Sequence, residues 1–308
     1  MDSMKRCPSR VGLTAAGGFT LIELLIAMVV TAVMGTAMVA NYVSQQQAST
    51  MVRQVAQMQQ QLRGAMYVME QDVRIAGYDP QESGLFGITN IQRWSITDLD
   101  TKPAASKEGS PSVMLTYDWS PGSPGTSEDG LLNEPMLAYR LFDETSDGIL
   151  DLVRDAYDED GNIERQLVAE GIEAIGFAYA FDNDGNGELD RTAAGNIIWA
   201  VDSDNDNLLD TNLDANDDGV IDLEDDTDGD GRITAGDSAL ATPVPVDRIR
   251  TVRIWLLARA RSGSRGFTNQ GEFVLVGDRV VPEQEGGFND NIRRRLLVRT
   301  VDCRNAGI

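Results

Sequence analysis

The sequence predicts an α+β fold in which one long N-terminal helix packs against an antiparallel β-sheet head. Three observations support this prediction. An apolar run from Phe19 to Tyr42 contains no proline and a single ionisable side chain, Glu23. A helical period of apolar residues then continues to about Ala76. From Gly77 onward, short runs of β-branched and aromatic residues alternate with clusters of Gly, Pro, Asp and Ser.

The apolar run is long enough to cross a lipid bilayer. Its 24 residues reach about 36 Å as a helix, which exceeds the ~30 Å hydrocarbon core of a membrane. Basic residues precede the run, so the positive-inside rule places the start of the chain in the cytoplasm. The same rule places everything after Tyr42 outside the cytoplasm.

Glu23 is unusual because a carboxylate in hydrocarbon is costly unless it is compensated. Two interpretations stay open. The side chain either snorkels to the headgroup region or pairs with a cation. The first 18 residues are basic and end in small residues, which is typical of a cleaved targeting segment. Cleavage after Gly18 would keep the helix on the mature chain and create an α-amino group at Phe19, which would be a natural counter-charge.

The segment Gly18-Phe19-Thr20-Leu21-Ile22-Glu23-Leu24-Leu25 closely resembles the prepilin signature of type IV pilins and type II secretion pseudopilins. The resemblance implies cleavage between Gly18 and Phe19 by a prepilin peptidase, followed by N-methylation of Phe19. It also implies that Glu23 pairs with the terminal amine of a neighbouring subunit as filaments assemble. The partners implied are other minor and major pilins, the inner membrane and its pilus assembly platform.

Composition excludes several classes of function. The formal net charge is −23, and it becomes −25 when the leader is removed, which argues against nucleic-acid binding. The chain has no histidine, so zinc metalloprotease sites and His-based triads are excluded. No nucleophile elbow or phosphate-binding glycine loop is present either, so we expect no enzyme. Cys7 lies in the leader, which leaves Cys303 without an intrachain partner and favours a buried apolar role for it.

The second half of the predicted helix carries a narrow apolar stripe on a Gln-rich surface. This stripe favours either a free coiled coil or a spine against which a sheet packs, and the resemblance to pilins implies the spine. The stripe consists of Val52, Val55, Leu62, Met66, Met69, Val73 and Ala76.

Nine β-strands are predicted beyond the helix, and their spacing favours antiparallel pairing. They are Ser112–Tyr117, Met136–Phe142, Ile149–Arg154, Ile163–Val168, Ile172–Phe181, Ile197–Val201, Ile249–Ala258, Glu272–Val276 and Ile292–Val301. The Ser120–Gly130 loop is a predicted surface connection, and Asp158-Glu159-Asp160-Gly161 a predicted hairpin turn.

The whole layout resembles PilW-like minor pilins over most of the chain. Besides the prepilin start, the resemblance rests on Glu70–Tyr78, Ile249–Leu257 and Arg293–Val301. It implies a type IV pilin-like fold with three parts. These are a cleaved leader (1–18), a membrane and assembly helix (19–76) and a periplasmic head (77–308).

An acidic segment at 182–237 holds 18 acidic and two basic residues. Two twelve-residue stretches in it place oxygen-bearing side chains at positions 1, 3, 5, 9 and 12 and glycine at position 6, as calcium loops require. At position 7, Val220 and Arg232 would contribute only a backbone carbonyl. The first loop has its predicted ligands at Asp214, Asn216, Asp218, Val220, Asp222 and Asp225. The second has them at Asp226, Asp228, Asp230, Arg232, Thr234 and Asp237.

Two further stretches are partial matches. One contains Asp182, Asp184, Asn186 and Asp190, and the other contains Asp202, Asp204, Asp206 and Asp210. They have Ala193 and Leu213 where a closing acid is expected, and the second has Asn207 in place of glycine. Starts at 202, 214 and 226 make a tandem repeat with a period of 12. We expect bound Ca²⁺, the alternative being a solvated acidic loop.

These observations favour a minor pilin that initiates or caps a type IV pilus at its tip. Two alternatives stay open, a minor pseudopilin of a type II secretion system and a calcium-binding tip adhesin. The expected location is the inner membrane, with a single span and a periplasmic head, followed by the pilus tip at the cell surface.

Overall fold

The computed structural model describes residues 19–78, 86–93, 110–117, 136–157, 163–270, 274–283 and 287–305. The leader, the Ser120–Gly130 loop and the Asp158–Gly161 turn lie outside these residues. The chain divides into two compact units, one up to Thr50 and one from Met51.

A single helix, α1, spans Leu21–Ile75, which confirms its prediction to within one residue at the C-terminal end. Gly77 ends it with φ of +77°, a left-handed conformation that glycine adopts without strain. In the described part of the first unit every side chain is exposed. Within the described residues, α1 is the one helix long and apolar enough to span a membrane.

In the second unit, α1 is the spine of the head, as predicted. The apolar side chains on one face of α1 between Met58 and Val73 are buried against the sheets, whereas Tyr67 and Val68 are exposed. The predicted stripe is wrong at its start, because Val52 is 68% exposed. Met58 and Ala65 belong to the buried face instead. Both lie three or four residues from stripe members, so they share the same helix face.

In the described part of the head, the predicted single sheet is in fact two sheets and a two-stranded ribbon. The first sheet is an antiparallel meander in the order β1-β2-β3-β4-β5. Its strands are β1 (Gly87–Asn90), β2 (Val113–Thr116), β3 (Met136–Phe142), β4 (Asp151–Tyr157) and β5 (Ile163–Ala169).

The second sheet has six strands in the order β13-β10-β6-β7-β8-β9. They are β6 (Ile172–Phe181), β7 (Ala200–Val201), β8 (Leu208–Asn212), β9 (Ala239–Pro245), β10 (Ile249–Arg259) and β13 (Arg294–Asp302). The ribbon pairs β11 (Val274–Val276) with β12 (Arg279–Val281). A one-turn helix, α2, spans Ala235–Ser238.

Strands β3 and β6 match their predicted bounds. Strand β7 (Ala200–Val201) is shorter than the predicted Ile197–Val201, because Ile197 pairs with Arg191 in an isolated bridge instead of joining the sheet. Four strands were not predicted. Strand β1 is only four residues long, β12 only three, β9 contains two prolines, and β8 lies inside the acidic segment.

Two apolar clusters form the core. The larger one joins α1 to both sheets and contains Leu115, Tyr139, Ile175 and Leu256. The smaller one lies between the six-stranded sheet and the ribbon and contains Trp255 and Val276.

The ribbon approaches β6 at a glycine. A Cβ on Gly176 would come within 2.6 Å of the Gly277 amide nitrogen, so no larger residue fits there. Cys303 lies in the larger cluster, as its predicted apolar role requires, and burial raises the pKa of its thiol to about 12.

Candidate metal centres and N-terminal motif

The four predicted calcium stretches are called loops I (182–193), II (202–213), III (214–225) and IV (226–237). In each loop the aspartate at position 1 folds the chain around its carboxylate. Asp182 Oδ1 accepts hydrogen bonds from the amides of Gly185 and Asn186 at 2.8 and 3.1 Å, and Oδ2 accepts one from Gly187 at 3.0 Å. The first aspartate of the other three loops likewise accepts a hydrogen bond from the amide at position 6, at 2.8 to 2.9 Å.

Positions 3 and 5 repeat a second pattern. One oxygen of each side chain accepts a hydrogen bond from the amide two residues later, as Asp184 does from Asn186 and Asn186 does from Glu188. The same turn occurs at Asp204, Asp206, Asn216, Asp218, Asp228 and Asp230. This turn bends the chain so that alternate side chains point into one concave loop.

Positions 4 and 6 of every loop adopt the left-handed conformation, with φ between +58° and +87°. Only the requirement at position 6 is predicted from the sequence. Loop II has asparagine at both positions, and asparagine tolerates this conformation better than most residues. The eight residues are Gly185, Gly187, Asn205, Asn207, Asp217, Gly219, Gly229 and Gly231.

An acidic side chain closes each loop by accepting a hydrogen bond from the amide at position 2. In loop III, Asp225 Oδ1 accepts it from Ala215 at 2.8 Å, and in loop IV Asp237 Oδ1 accepts it from Thr227 at 2.9 Å. Both acids are at position 12, as predicted. In loops I and II the closing acid is not at position 12, which corrects the prediction.

Loops I and II are closed at position 9. Asp190 Oδ1 accepts the hydrogen bond from Asn183 at 3.4 Å, and Asp210 Oδ1 accepts it from Ser203 at 3.0 Å. The expected acids at Ala193 and Leu213 are therefore not needed. Leu213 instead fills the smaller core cluster.

Carboxylate oxygens converge within three of the loops. In each of these loops, one oxygen from each of three acidic residues lies within 4.8 Å of the other two. The groups are Asp182, Asp184 and Asp190; Asp202, Asp204 and Asp206; and Asp226, Asp228 and Asp237. Loop III combines carboxylates with the Asn216 amide. The side chains at position 7 do not join these carboxylate groups. Val220 is exposed, and Arg232 lies 3.8 Å from Glu283.

Several of these carboxylates are buried. Burial raises the pKa values of Asp190, Asp202 and Asp225, although backbone amides donate hydrogen bonds to all three. At Asp182, burial alone would raise the pKa. The hydrogen bonds from the amides of Gly187 and its neighbours have the larger combined effect, so the pKa of Asp182 lies below its ordinary value. A cation would compensate these crowded charges. The all-oxygen donor set fits a hard cation such as Ca²⁺ better than a transition metal.

Each loop is fixed to the head by an apolar residue at position 8. Leu209 and Ile233 are fully buried, and Leu189 and Ile221 pack against the smaller cluster. This places the open side of each loop toward solvent and its base on the core.

Loop II also contacts the first sheet. Asn207 Oδ1 accepts a hydrogen bond from the Ile91 amide at 3.0 Å, and Asn207 Nδ2 donates one to the Thr89 carbonyl at 3.1 Å. Asn205 Oδ1 accepts one from the Arg93 amide at 2.6 Å. The two asparagines that replace glycine therefore join loop II to residues 89–93.

Loops III and IV have other contacts. Thr192 Oγ1 donates a hydrogen bond to Asp217 in loop III at 2.6 Å. In loop IV, the Ile233 amide donates to the Asp278 carbonyl at 2.7 Å, and Gly231 accepts from the Val280 amide at 2.8 Å. Loop III thus rests on the end of loop I, and loop IV rests on the ribbon.

Glu23 closes the first turn of α1. Its Oε2 accepts hydrogen bonds from both the amide and the hydroxyl of Thr20 at 2.9 Å, and the Glu23 amide donates to Thr20 Oγ1 at 3.3 Å. This reciprocal arrangement is a capping box. The Thr-x-x-Glu spacing is a sequence signal for this capping box, but the box is not among the sequence-based predictions. Phe19 is 90% exposed, and Gly18 lies outside the described residues.

A type IV-like pilin from Thermus thermophilus is 15% identical, with 81% of this chain and 98% of that chain covered and a TM-score of 0.39. No curated protein matches the chain significantly. The family model for the prokaryotic N-terminal methylation motif matches residues 13–39. The model for type IV pilus-assembly protein W matches residues 142–305, more than half of the chain. The chain therefore belongs to the type IV pilus-assembly protein W family and is a minor pilin of this type.

Proposed function

We propose that this minor pilin is cleaved between Gly18 and Phe19, N-methylated at Phe19, and then initiates or caps a type IV pilus at the filament tip. The observation that carries the tip position is the size of the head. The described residues already contain two sheets, a ribbon and four loops. A head of that size would crowd its neighbours in the tightly packed shaft, whereas the tip has neighbours on one side only.

Assembly depends on the N-terminal end of α1. Both hydrogen bonds from Thr20 go to Glu23 Oε2. Glu23 Oε1 therefore remains available for the methylated amine of Phe19 on a neighbouring subunit. The exposed apolar side chains of residues 21–50 pack first with lipid and then with the helices of other pilins.

Ca²⁺ binds in all four loops under this proposal. The ligands of loops I and II are the aspartates and asparagine at positions 1, 3, 5 and 9. Loops III and IV add the acid at position 12 and the position 7 carbonyls of Val220 and Arg232. Extracellular calcium modules bind with dissociation constants of about 10⁻⁴–10⁻³ M, and we expect affinities in this range.

The role of the calcium is architectural. Loop II joins the six-stranded sheet to residues 89–93, loop III rests on loop I, and loop IV rests on the ribbon. Neutralising the carboxylates fixes these contacts, because like charges in one concave loop otherwise repel one another.

Deletion of the gene with complementation tests the proposal. We expect the deletion strain to lose surface pili while its type II secretion continues, and immunogold labelling of complemented cells to mark filament ends. Normal piliation together with a secretion defect would instead identify a minor pseudopilin. Label distributed along the shaft would contradict the tip position.

A further inference from the structure

Among the strands that the structure describes, β13 is at one open edge of the six-stranded sheet. Its register with β10 is continuous from Arg294 to Asp302, without a bulge. At the two ends of this ladder, the Ala260 amide donates to the Arg293 carbonyl and the Cys303 amide donates to the Arg250 carbonyl, both at 2.8 Å.

These two hydrogen bonds fix which backbone groups face the open edge. In an antiparallel ladder, alternate residues bond to the same neighbour. The odd-numbered residues of β13 therefore bond to β10. The amides and carbonyls of Leu296, Val298 and Thr300 point away from β10. Val298, Arg299 and Thr300 are all exposed.

The other edges of the described sheets are less suited to accepting a strand. Strand β9 contains Pro243 and Pro245, and β1 has four residues and a register shift. Strand β5 pairs with β4 through a bulge. Prolines, short strands and bulges protect sheet edges from pairing, and β13 has none of them. Edge charges are a further such device, and the exposed Arg295 and Arg299 of β13 would oppose pairing with any strand that is not acidic.

Arginines with few or no carboxylate partners lie along the β13 edge. Within the part of the chain that the structure describes, Arg295 and Arg304 form no ion pair. Arg299 is 58% exposed, and its one carboxylate neighbour is Glu70 at 3.9 Å, which also contacts Arg74 at 3.3 Å. The acidic loops II to IV adjoin β7, β8 and β9, toward the opposite edge of the same sheet.

The two faces of β13 differ in chemistry. Leu297 and Val301 pack into the cluster that contains α1, so Arg295 and Arg299 lie on that face. Leu296 packs against the smaller cluster, so Val298 and Thr300 lie on the other face. A strand added beside β13 would place its side chains about 5 Å from these residues.

We propose that the β13 edge accepts an acidic extended strand from the head of a different pilin subunit, which extends the six-stranded sheet by one strand. This proposal rests on the proposed assembly function. The incoming strand carries carboxylates opposite Arg295 and Arg299 and an apolar residue opposite Val298. A second copy of this chain is the poorer donor. Its outer strands β1 and β9 carry no acidic side chain, and β5 offers only Glu164 on an edge that contains a bulge.

Site-specific photo-crosslinking in piliated cells tests this proposal with the full chain. A photoreactive residue replaces Val298 or, in a second variant, Thr300. The control position is Leu167 on β5, which is also exposed. We expect adducts with another pilin subunit from 298 and 300 and not from 167, with the crosslinked partner strand located by mass spectrometry.

Charge variants complete the test. The double variant Arg295→Glu with Arg299→Glu should lower the adduct yield at least about ten-fold, whereas Arg295→Lys with Arg299→Lys should retain it. Pili without adducts at 298 and 300, adducts with lipid only, or equal yields in the Glu variant would overturn the proposal. If deletion of the gene leaves piliation normal, the proposed assembly function is wrong. This result differs from failure of the β13 proposal alone, in which pili form but positions 298 and 300 give no adducts.

Discussion

Arg154 Nε on β4 donates a hydrogen bond to Asp72 Oδ2 of α1 at 2.7 Å. Tyr139 on β3 donates its hydroxyl proton to the same oxygen at 2.5 Å. This buried polar contact fixes the rotation and height of α1 on the five-stranded sheet. The surrounding apolar side chains could slide past one another, but a hydrogen-bonded carboxylate cannot do so without losing its partners.

Replacing Asp72 with alanine should destabilise the head by about 3 kcal/mol, because the largely buried Arg154 would lose its ion pair and Tyr139 would lose its hydrogen-bond acceptor. Urea unfolding of the full chain in detergent measures this loss. Glu70→Ala is the control, since it removes a more exposed contact to Arg74 and should cost at most about 1 kcal/mol. Equal losses of unfolding free energy in the two variants would contradict the role of Asp72 in fixing α1 on the five-stranded sheet.

Removing calcium should loosen the contact between loop II and residues 89–93. Hydrogen exchange with and without a chelator measures the effect. The amides of Ile91 and Arg93 should exchange several-fold faster without calcium, because each loses a hydrogen bond worth about 1 kcal/mol. Amides in β3 should not change. Unchanged exchange at Ile91 would contradict an architectural role for calcium.

Asn207→Gly is a matched control for that experiment. Glycine adopts the left-handed conformation of this position more easily than asparagine. The variant should therefore keep calcium binding and still lose protection at Ile91. If it kept that protection, the side-chain contact between Asn207 and the first sheet would be unimportant.

Because Asp190 and Asp210 close loops I and II at position 9, we predict that each of them is needed for one bound calcium ion. Asp190→Ala or Asp210→Ala should each remove one equivalent of bound calcium, because each variant opens one loop. Ala193→Ser, at the position where an acid was first expected, should change nothing. Calorimetric titration of the full chain in detergent measures both, and an unchanged stoichiometry in the aspartate variants would contradict closure by these residues.

The thiol of Cys303 should not react with a disulfide reagent at pH 8 in the folded protein. Burial raises its pKa to about 12, so the thiol stays protonated and covered at that pH. In urea, the processed chain should show one reactive thiol and the unprocessed chain two, because Cys7 is lost with the leader. Rapid labelling of the native processed chain would show that Cys303 is accessible.

Much of this architecture could be predicted from the sequence. The long helix and the strands β3 and β6 were recognised because their hydrophobic patterns are long and regular. Strands β8 and β9 were missed because the acidic segment and two prolines conceal their alternation. Separation into two sheets depends on which strands pair, and local patterns do not report pairing.

The acidic loops I to IV could likewise be predicted only in part. Positions 1, 3 and 5 could be predicted because alternate aspartates are a local signal. Closure by Asp190 and Asp210 depends on a hydrogen bond that exists only once the loop has folded. The role of Asn207 depends on a contact with Thr89, 118 residues away in the sequence, and no local spacing reveals such a contact.

Assembly should depend on the charge of Glu23 and not on its capping of α1. Piliation and leader cleavage, measured together in three variants, separate these two roles of Glu23. Glu23→Gln keeps a capping oxygen and loses the charge, Glu23→Ala loses both, and Thr20→Ala loses the cap and keeps the charge. We predict normal cleavage in all three, with pili lost in both Glu23 variants and retained in Thr20→Ala. Normal piliation in Glu23→Gln would contradict the account.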